Sequence, residues 1–214
     1  MKIRFQSFSV FAALALAAVL AGLTACKQSS SPTETAQPAA QQTPTMPTSP
    51  ALTGGSLTSA GGIAWTVPAG WGPGPEHQMR IATYHVRAIA GDPDEGECAV
   101  YFFGTGQGGT VQANLDRWAG QFTGPNGQPL AQAATMDKRV VAGLKVSTLT
   151  VSGTYMGAGG MMGQAPTPKP NYRMRAAIIE APQGLVFFKL TGPLNTVAAA
   201  ENDFNSLLGS VHPQ

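Results

Sequence analysis

Cysteine and histidine are scarce in this chain: two cysteines and three histidines among 214 residues. That excludes a disulfide framework and leaves too few soft ligands for a zinc-type cluster. It also leaves few general bases, so no Ser-His-Asp or Cys-His arrangement can be assembled from the sequence and no catalytic residue is assigned. Charge is thin as well, at 11% of residues. Without residues 1–25, which hold Lys2 and Arg4, 11 basic and 11 acidic residues remain and the formal net charge is zero. No basic field is left for nucleic acid, and no nucleic-acid partner is expected. The apolar run from Val10 to Leu23 holds 14 residues. As a helix it would reach about 21 Å at roughly 1.5 Å per residue, short of a hydrocarbon core of about 30 Å.

What is present begins at the N-terminus. Lys2 and Arg4 precede the apolar run, and Leu23-Thr24-Ala25-Cys26 follows it. A basic start, a short apolar segment and small residues form the order of an export signal. The tetrad resembles the lipobox of bacterial lipoproteins. That resemblance implies a diacylglyceryl group on the Cys26 thiol, cleavage before Cys26, and acylation of the new N-terminus by a fatty acid such as palmitate. The membrane is then an expected partner through lipid on Cys26, and several acyl chains hold where one is marginal. Lys27 stands where inner-membrane lipoproteins of the enteric type carry Asp. The resemblance therefore implies the outer membrane, facing the periplasm, in a host with two membranes.

Between Lys27 and Pro50, 21 of 24 residues are Ser, Thr, Pro, Gln or Ala. Such a segment cannot bury enough apolar surface to offset its ordering entropy, so a disordered tether is expected. Its r.m.s. span as a flexible coil is roughly 27 Å. The Gly-rich stretch from Thr53 to Gly62 is assigned to the same tether. The expected boundaries are a signal peptide over 1–25, a lipidated linker over 26–59 and one folded domain over 60–214, long enough for a single core.

The domain reads as three strands, a helix, two hairpins and a helix. Ile63 to Val67, Gln78 to Ile89 and Glu97 to Phe103 are β-prone runs broken by Pro68-Ala69-Gly70-Trp71 and Gly91-Asp92-Pro93-Asp94. Cys98, inside the third run, is expected to be a buried, inert thiol. Val111, Leu115, Trp118 and Phe122 recur on one helical face, with Thr110 as N-cap. Hairpins are expected around Ala142-Gly143 and around Ala181 to Gly184. Val197, Ala200, Phe204, Leu207 and Val211 mark a terminal amphipathic helix. Short turns between adjacent strands favour an antiparallel sheet, so the fold class is α+β, mainly an antiparallel sheet covered by two amphipathic helices. The order of elements, the opening Ile63-Ala64-Trp65-Thr66-Val67-Pro68-Ala69-Gly70-Trp71 and the closing Phe204-Asn205-Ser206-Leu207-Leu208 resemble the Mog1/PsbP-like fold. The Gly-Gln-Gly-Gly and Asn-Leu-Asp-Arg-Trp stretch resembles uncharacterised bacterial lipoproteins.

Four places could carry a site. Gly104-Thr105-Gly106-Gln107-Gly108-Gly109 fits a dinucleotide fingerprint between a strand and a helix, but no second parallel strand ending in an acidic residue follows. Gly104, Gly106, Gln107, Gly108 and Gly109 are therefore candidates for a ligand or partner loop, together with Trp71 in its Gly/Pro-rich turn. Asp92, Asp94, Glu95 and Glu97 could gather on a cation, although the EF-hand spacing fails at Gly96. Met156, Met161 and Met162 could offer thioethers to Cu(I) or form an adaptable contact loop. Arg80, Arg173 and Arg175 alternate with apolar residues and are expected on solvent faces, as an anion patch if those faces meet. No cofactor is expected. The leading expectation is a non-catalytic envelope accessory with a protein partner, and the alternative is a lipoprotein that binds a small ligand or metal ion. Cys26→Ser should leave the precursor unprocessed and shift the chain out of the membrane fraction; unchanged maturation and fractionation would remove the anchor.

Overall fold

The computed structural model describes residues 57–157 and 167–214. Cys26, the tether, Met161 and Met162 lie outside them. The described chain runs β1 (Leu57–Ala60), β2 (Ile63–Thr66), β3 (Trp71–Pro73), β4 (Arg80–Val86), β5 (Gly96–Phe102), α1 (Val111–Ala119), β6 (Phe122–Thr123), β7 (Thr135–Val141), β8 (Leu144–Tyr155), β9 (Lys169–Ala181), β10 (Gly184–Pro193), α2 (Leu194–Ala199), α3 (Glu201–Gly209) and β11 (His212–Pro213). The fold is α+β. The main sheet has the order β3-β4-β5-β10-β9-β8-β6, with β7 also on β8. A small second sheet has the order β1-β2-β11. The pairings in both are antiparallel.

Both expected hairpins are present. The first turns at Ala142-Gly143, where both residues have positive φ. The other joins β9 to β10 in register from Ala181↔Gly184 to Tyr172↔Pro193. Thr110 caps α1 by accepting a 3.2 Å hydrogen bond from Ala113 N–H. Three readings shift. Residues 57–60, assigned to the tether by composition, form β1 and pair with β2, because Thr58 and Ser59 find backbone partners in Trp65 and Ala64. Phe122 belongs to β6 and not to the helix, since Gly120 ends α1 with its N–H on Asp116 O. The terminal helix is broken at Ala200, yet Val197, Ala200, Phe204 and Leu207 stay buried in one line.

Alternation along the central strands feeds two different cores. Val186, Phe188 and Leu190 of β10 face a thick layer made by β2 and α2–α3. There Trp65 meets Phe188 edge-on at 5.0 Å and donates its indole N–H to Tyr84 Oη at 3.1 Å. Each such large apolar side chain contributes about 1.5–3 kcal/mol by burial. The opposite face carries a thinner layer. Leu115 and Trp118 of α1 cover Phe187, Met174 and Leu149, with Trp118 and Phe187 edge-on at 6.1 Å. α1 has nine residues, too short to roof the whole sheet at about 1.5 Å per residue.

β5 and β10 approach closely at Gly96 and Gly192. A Cβ on Gly192 would stand 2.8 Å from Gly96 Cα, a backbone atom that cannot swing aside. Gly192→Ala should therefore destabilise the fold by about 1–3 kcal/mol through overpacking. A melting temperature equal to wild type would show that the two strands have room to separate.

Candidate functional site

Where α1 stops, no other described element covers the second face of the sheet, and alternation fills it with polar and aromatic side chains. On β10, Phe187 lies beneath the helix, and the next residues on that face are Lys189 and Thr191. β5 adds Glu97 and Tyr101, β8 adds Tyr155, β9 adds Lys169 and Tyr172, and β4 adds Arg80 and His85. Together they line a cleft of about 430 Å³, within the range of small-molecule sites.

Lys189 is at its centre. Its Nζ donates to Gln121 Oε1 at 2.8 Å and lies 5.7 Å from the centroid of the Tyr155 ring. No carboxylate pairs with it among the described residues. Burial pushes its pKa down to about 8, and the neighbouring positive charges of Arg117 and Arg80 add to the effect against a weaker pull from Glu97. The remaining charges are paired. Arg80 bonds Glu97 at 2.9 Å and lies over the Tyr101 ring. Asp94 accepts from Tyr172 Oη and, at 3.1 Å, from Lys169 Nζ. The Tyr172 hydrogen bond and the Lys169 charge hold the Asp94 carboxyl below its ordinary range. Burial raises the Tyr155 and Tyr172 phenols, so both remain neutral donors. Tyr155 and Tyr172 stack with rings 6° from parallel. The Thr191 hydroxyl lines the cleft and is buried without a partner.

The residues singled out by sequence are dispersed. The acidic turn sends its carboxylates to separate partners: Asp92 to Thr196 N–H and hydroxyl at 2.7 and 2.6 Å, Asp94 to Tyr172 and Lys169, Glu95 to His85 at 2.8 Å, and Glu97 to Arg80. Among the described residues no three His, Cys, Asp or Glu side chains converge as metal ligands. Trp71, expected at a surface turn, is 2% exposed. Its pairing with Val86 turns the indole inward beside Tyr84, so it cannot touch a ligand. Gly104, Gly106, Gly108 and Gly109 all have positive φ and lead from β5 into α1. The loop is tied down by Asn114, whose amide donates to Gly108 O at 2.7 Å, and by Thr105, which donates to Gln183 O. Gln107, Gly108 and Gly109 line a shallow hollow with Phe103 and Arg117, apart from the Lys189 cleft. Met161 and Met162 lie outside the described residues.

The arginines do not form the patch that their spacing suggested. A bulge between Arg80 and Ala82 brings Arg80 opposite Tyr101 and onto the cleft face. Arg175 lies on the other face, paired with Glu201 and reaching Asn205. Arg173 donates to Ser152. Sequence reasoning missed Lys189 altogether. The available signal was a lone charge in Leu185-Val186-Phe187-Phe188-Lys189-Leu190-Thr191, a strand apolar on both parities.

No protein-family model matches this sequence, and neither does any curated protein. Among solved structures the chain is similar to cyanobacterial PsbP from Synechocystis sp. PCC 6803, at 14% identity and a TM-score of 0.45, covering 74% of this chain and 92% of that one. It is also similar to PA94 from Pseudomonas aeruginosa, a protein of unknown function, at 12% identity and a TM-score of 0.43, covering 74% and 96%. Neither similarity brings a role to this chain.

The depressed Lys189 pKa has a consequence for stability. The folded group titrates near 8 and the free group near 10.5. Between those values the unfolded chain binds the extra proton, so Lys189 makes stability rise with pH across that window and costs stability below it. Lys189→Met should be more stable than wild type at neutral pH and should lose that rise. Parallel pH profiles for the two proteins would show that Lys189 is solvated in the folded state.

Proposed function

We propose that this protein is a lipid-anchored envelope protein whose folded unit performs no chemistry and binds a small molecule in the Lys189 cleft. The observation that carries this reading is the half of the sheet that the described residues leave uncovered, where tyrosines surround a half-buried lysine with no counter-ion among those residues. A purely structural role would favour an apolar residue there, because burying an unpaired charge costs stability that methionine or leucine would not. The anchor rests on the lipobox ending at Cys26 and on the Lys27 to Pro50 tether. An outer-membrane, periplasm-facing address follows from the same resemblance. No helix among the described residues is long and apolar enough to cross a membrane.

Among the described residues the thiol and imidazole groups support binding over catalysis. Cys98 is fully buried, and burial drives its thiol pKa far upward, which leaves it unreactive. His85 is held by Glu95 at the rim. A second reading, an assembly accessory that docks an envelope protein, is supported by β7. Six of its seven residues are exposed, and among the described residues its pairing is with β8 alone, which leaves its other edge for a further strand.

A photo-crosslinking residue at His85, on the cleft rim, and another at Val140, on β7, separate the two in living cells. A discrete small-molecule adduct at position 85 is the expected result. Protein adducts at position 140 with none at 85 would overturn the cleft and favour the accessory reading.

A further inference from the structure

The cleft also discriminates among ligand chemistries. Of the three donor hydrogens of the Lys189 ammonium, one is taken by Gln121 Oε1. The Tyr155 ring flanks the group from β8. Facing it are Arg80 from β4, Glu97 and Tyr101 from β5, Arg117 from α1, and Lys169 and Tyr172 from β9. Arg80, Lys169 and Lys189 line the cleft with Asp94, Glu95 and Glu97, and Arg80 and Lys169 are each taken by a carboxylate, so the Lys189 ammonium is the cation left without a counter-ion among the described residues. The unpartnered Thr191 hydroxyl beside it offers one further donor.

The rim limits how much negative charge can enter. Asp94, Glu95 and Glu97 all line the cleft, so a dianion meets three carboxylates where a monoanion meets a tolerable field. Tyr101, Tyr155 and Tyr172 are part of the lining, and aromatic side chains suit a carbon skeleton and give little to an inorganic ion. Building on the proposed binding role of the cleft, we infer that its occupant is a small organic acid whose carboxylate lies on the Lys189 ammonium and whose body lies against the tyrosines. A charge-assisted hydrogen bond in a site of low dielectric anchors the acid. The same contact relieves the cost of the unpaired lysine.

Because only the ammonium form binds, affinity follows the charged fraction of Lys189. With an unliganded pKa of about 8, binding weakens about tenfold between about pH 7 and about pH 9. An acid at about ten times its Kd for the charged form lifts the titration midpoint by about one unit.

The test uses the full-length chain in detergent with 13C-labelled lysine, following the Lys189 Cε resonance against pH. The chain has six lysines, and Lys189→Arg identifies the signal by its loss. Benzoate is the probe, benzamide its neutral counterpart and inorganic phosphate the dianion. The expected result is a midpoint raised by benzoate and unmoved by benzamide. Lys189→Arg should bind benzoate without the loss at high pH, and Lys189→Met should not bind it. An unmoved midpoint, equal effects of benzoate and benzamide, or a larger shift with phosphate would each overturn the assignment. If benzoate fails while adducts form at position 85, the ligand chemistry falls and the cleft's role survives. If benzoate binds and no adduct forms, the proposed function falls and the carboxylate site stands.

Discussion

β10 runs through the middle of the sheet with both faces in use, and its period of two governs the rest of the molecule. Val186, Phe188 and Leu190 point into the deep layer closed by β2, α2 and α3. Phe187 points to the other side and is met by Trp118. Lys189 and Thr191 follow on that same side, beyond the reach of α1. The strand is not free to twist a charged residue toward water, because it is paired along its length to β5 and β9. The lysine is consequently held under tyrosines with an amide as its one protein acceptor.

Apart from the Thr191 hydroxyl, the surroundings of that lysine are well satisfied. Asp92 ties the loop before β5 to the start of α2. Asp94 is bonded by Tyr172 and Lys169, and Arg80 by Glu97. These contacts stiffen the cleft walls, which are built on strands and not on loops, and such walls give a ligand a preorganised surface. Leaving one charge uncompensated at the centre is a local loss of stability. Proteins commonly carry such losses where binding needs them.

Many of the elements were legible from side-chain periodicity. Alternating and continuous apolar runs located the main strands, the spacing of 4 and 3 between Val111, Leu115 and Trp118 located α1, and Ala142-Gly143 located a hairpin. The misreadings came from pairing, which periodicity does not report. Leu57 to Ala60 looks like linker until β2 supplies its hydrogen bonds. Trp71 looks exposed among glycines and prolines until β4 turns it inward. The bulge before Ala82 reverses the face on which Arg80 lies, and no residue type at that position announces it.

The chain's own order of residues therefore determined the Leu23-Thr24-Ala25-Cys26 tetrad behind its apolar run, the low and balanced charge, the α+β class and the apolar faces that make its cores, because each depends on local composition or on a repeat of two or of roughly 3.6. The cleft was decided by tertiary structure alone. Its residues come from β4, β5, β8, β9 and β10 and from the turn before β5, between Arg80 and Thr191. They converge only when the sheet is assembled in its non-sequential order and the helix above it ends too soon to cover Lys189.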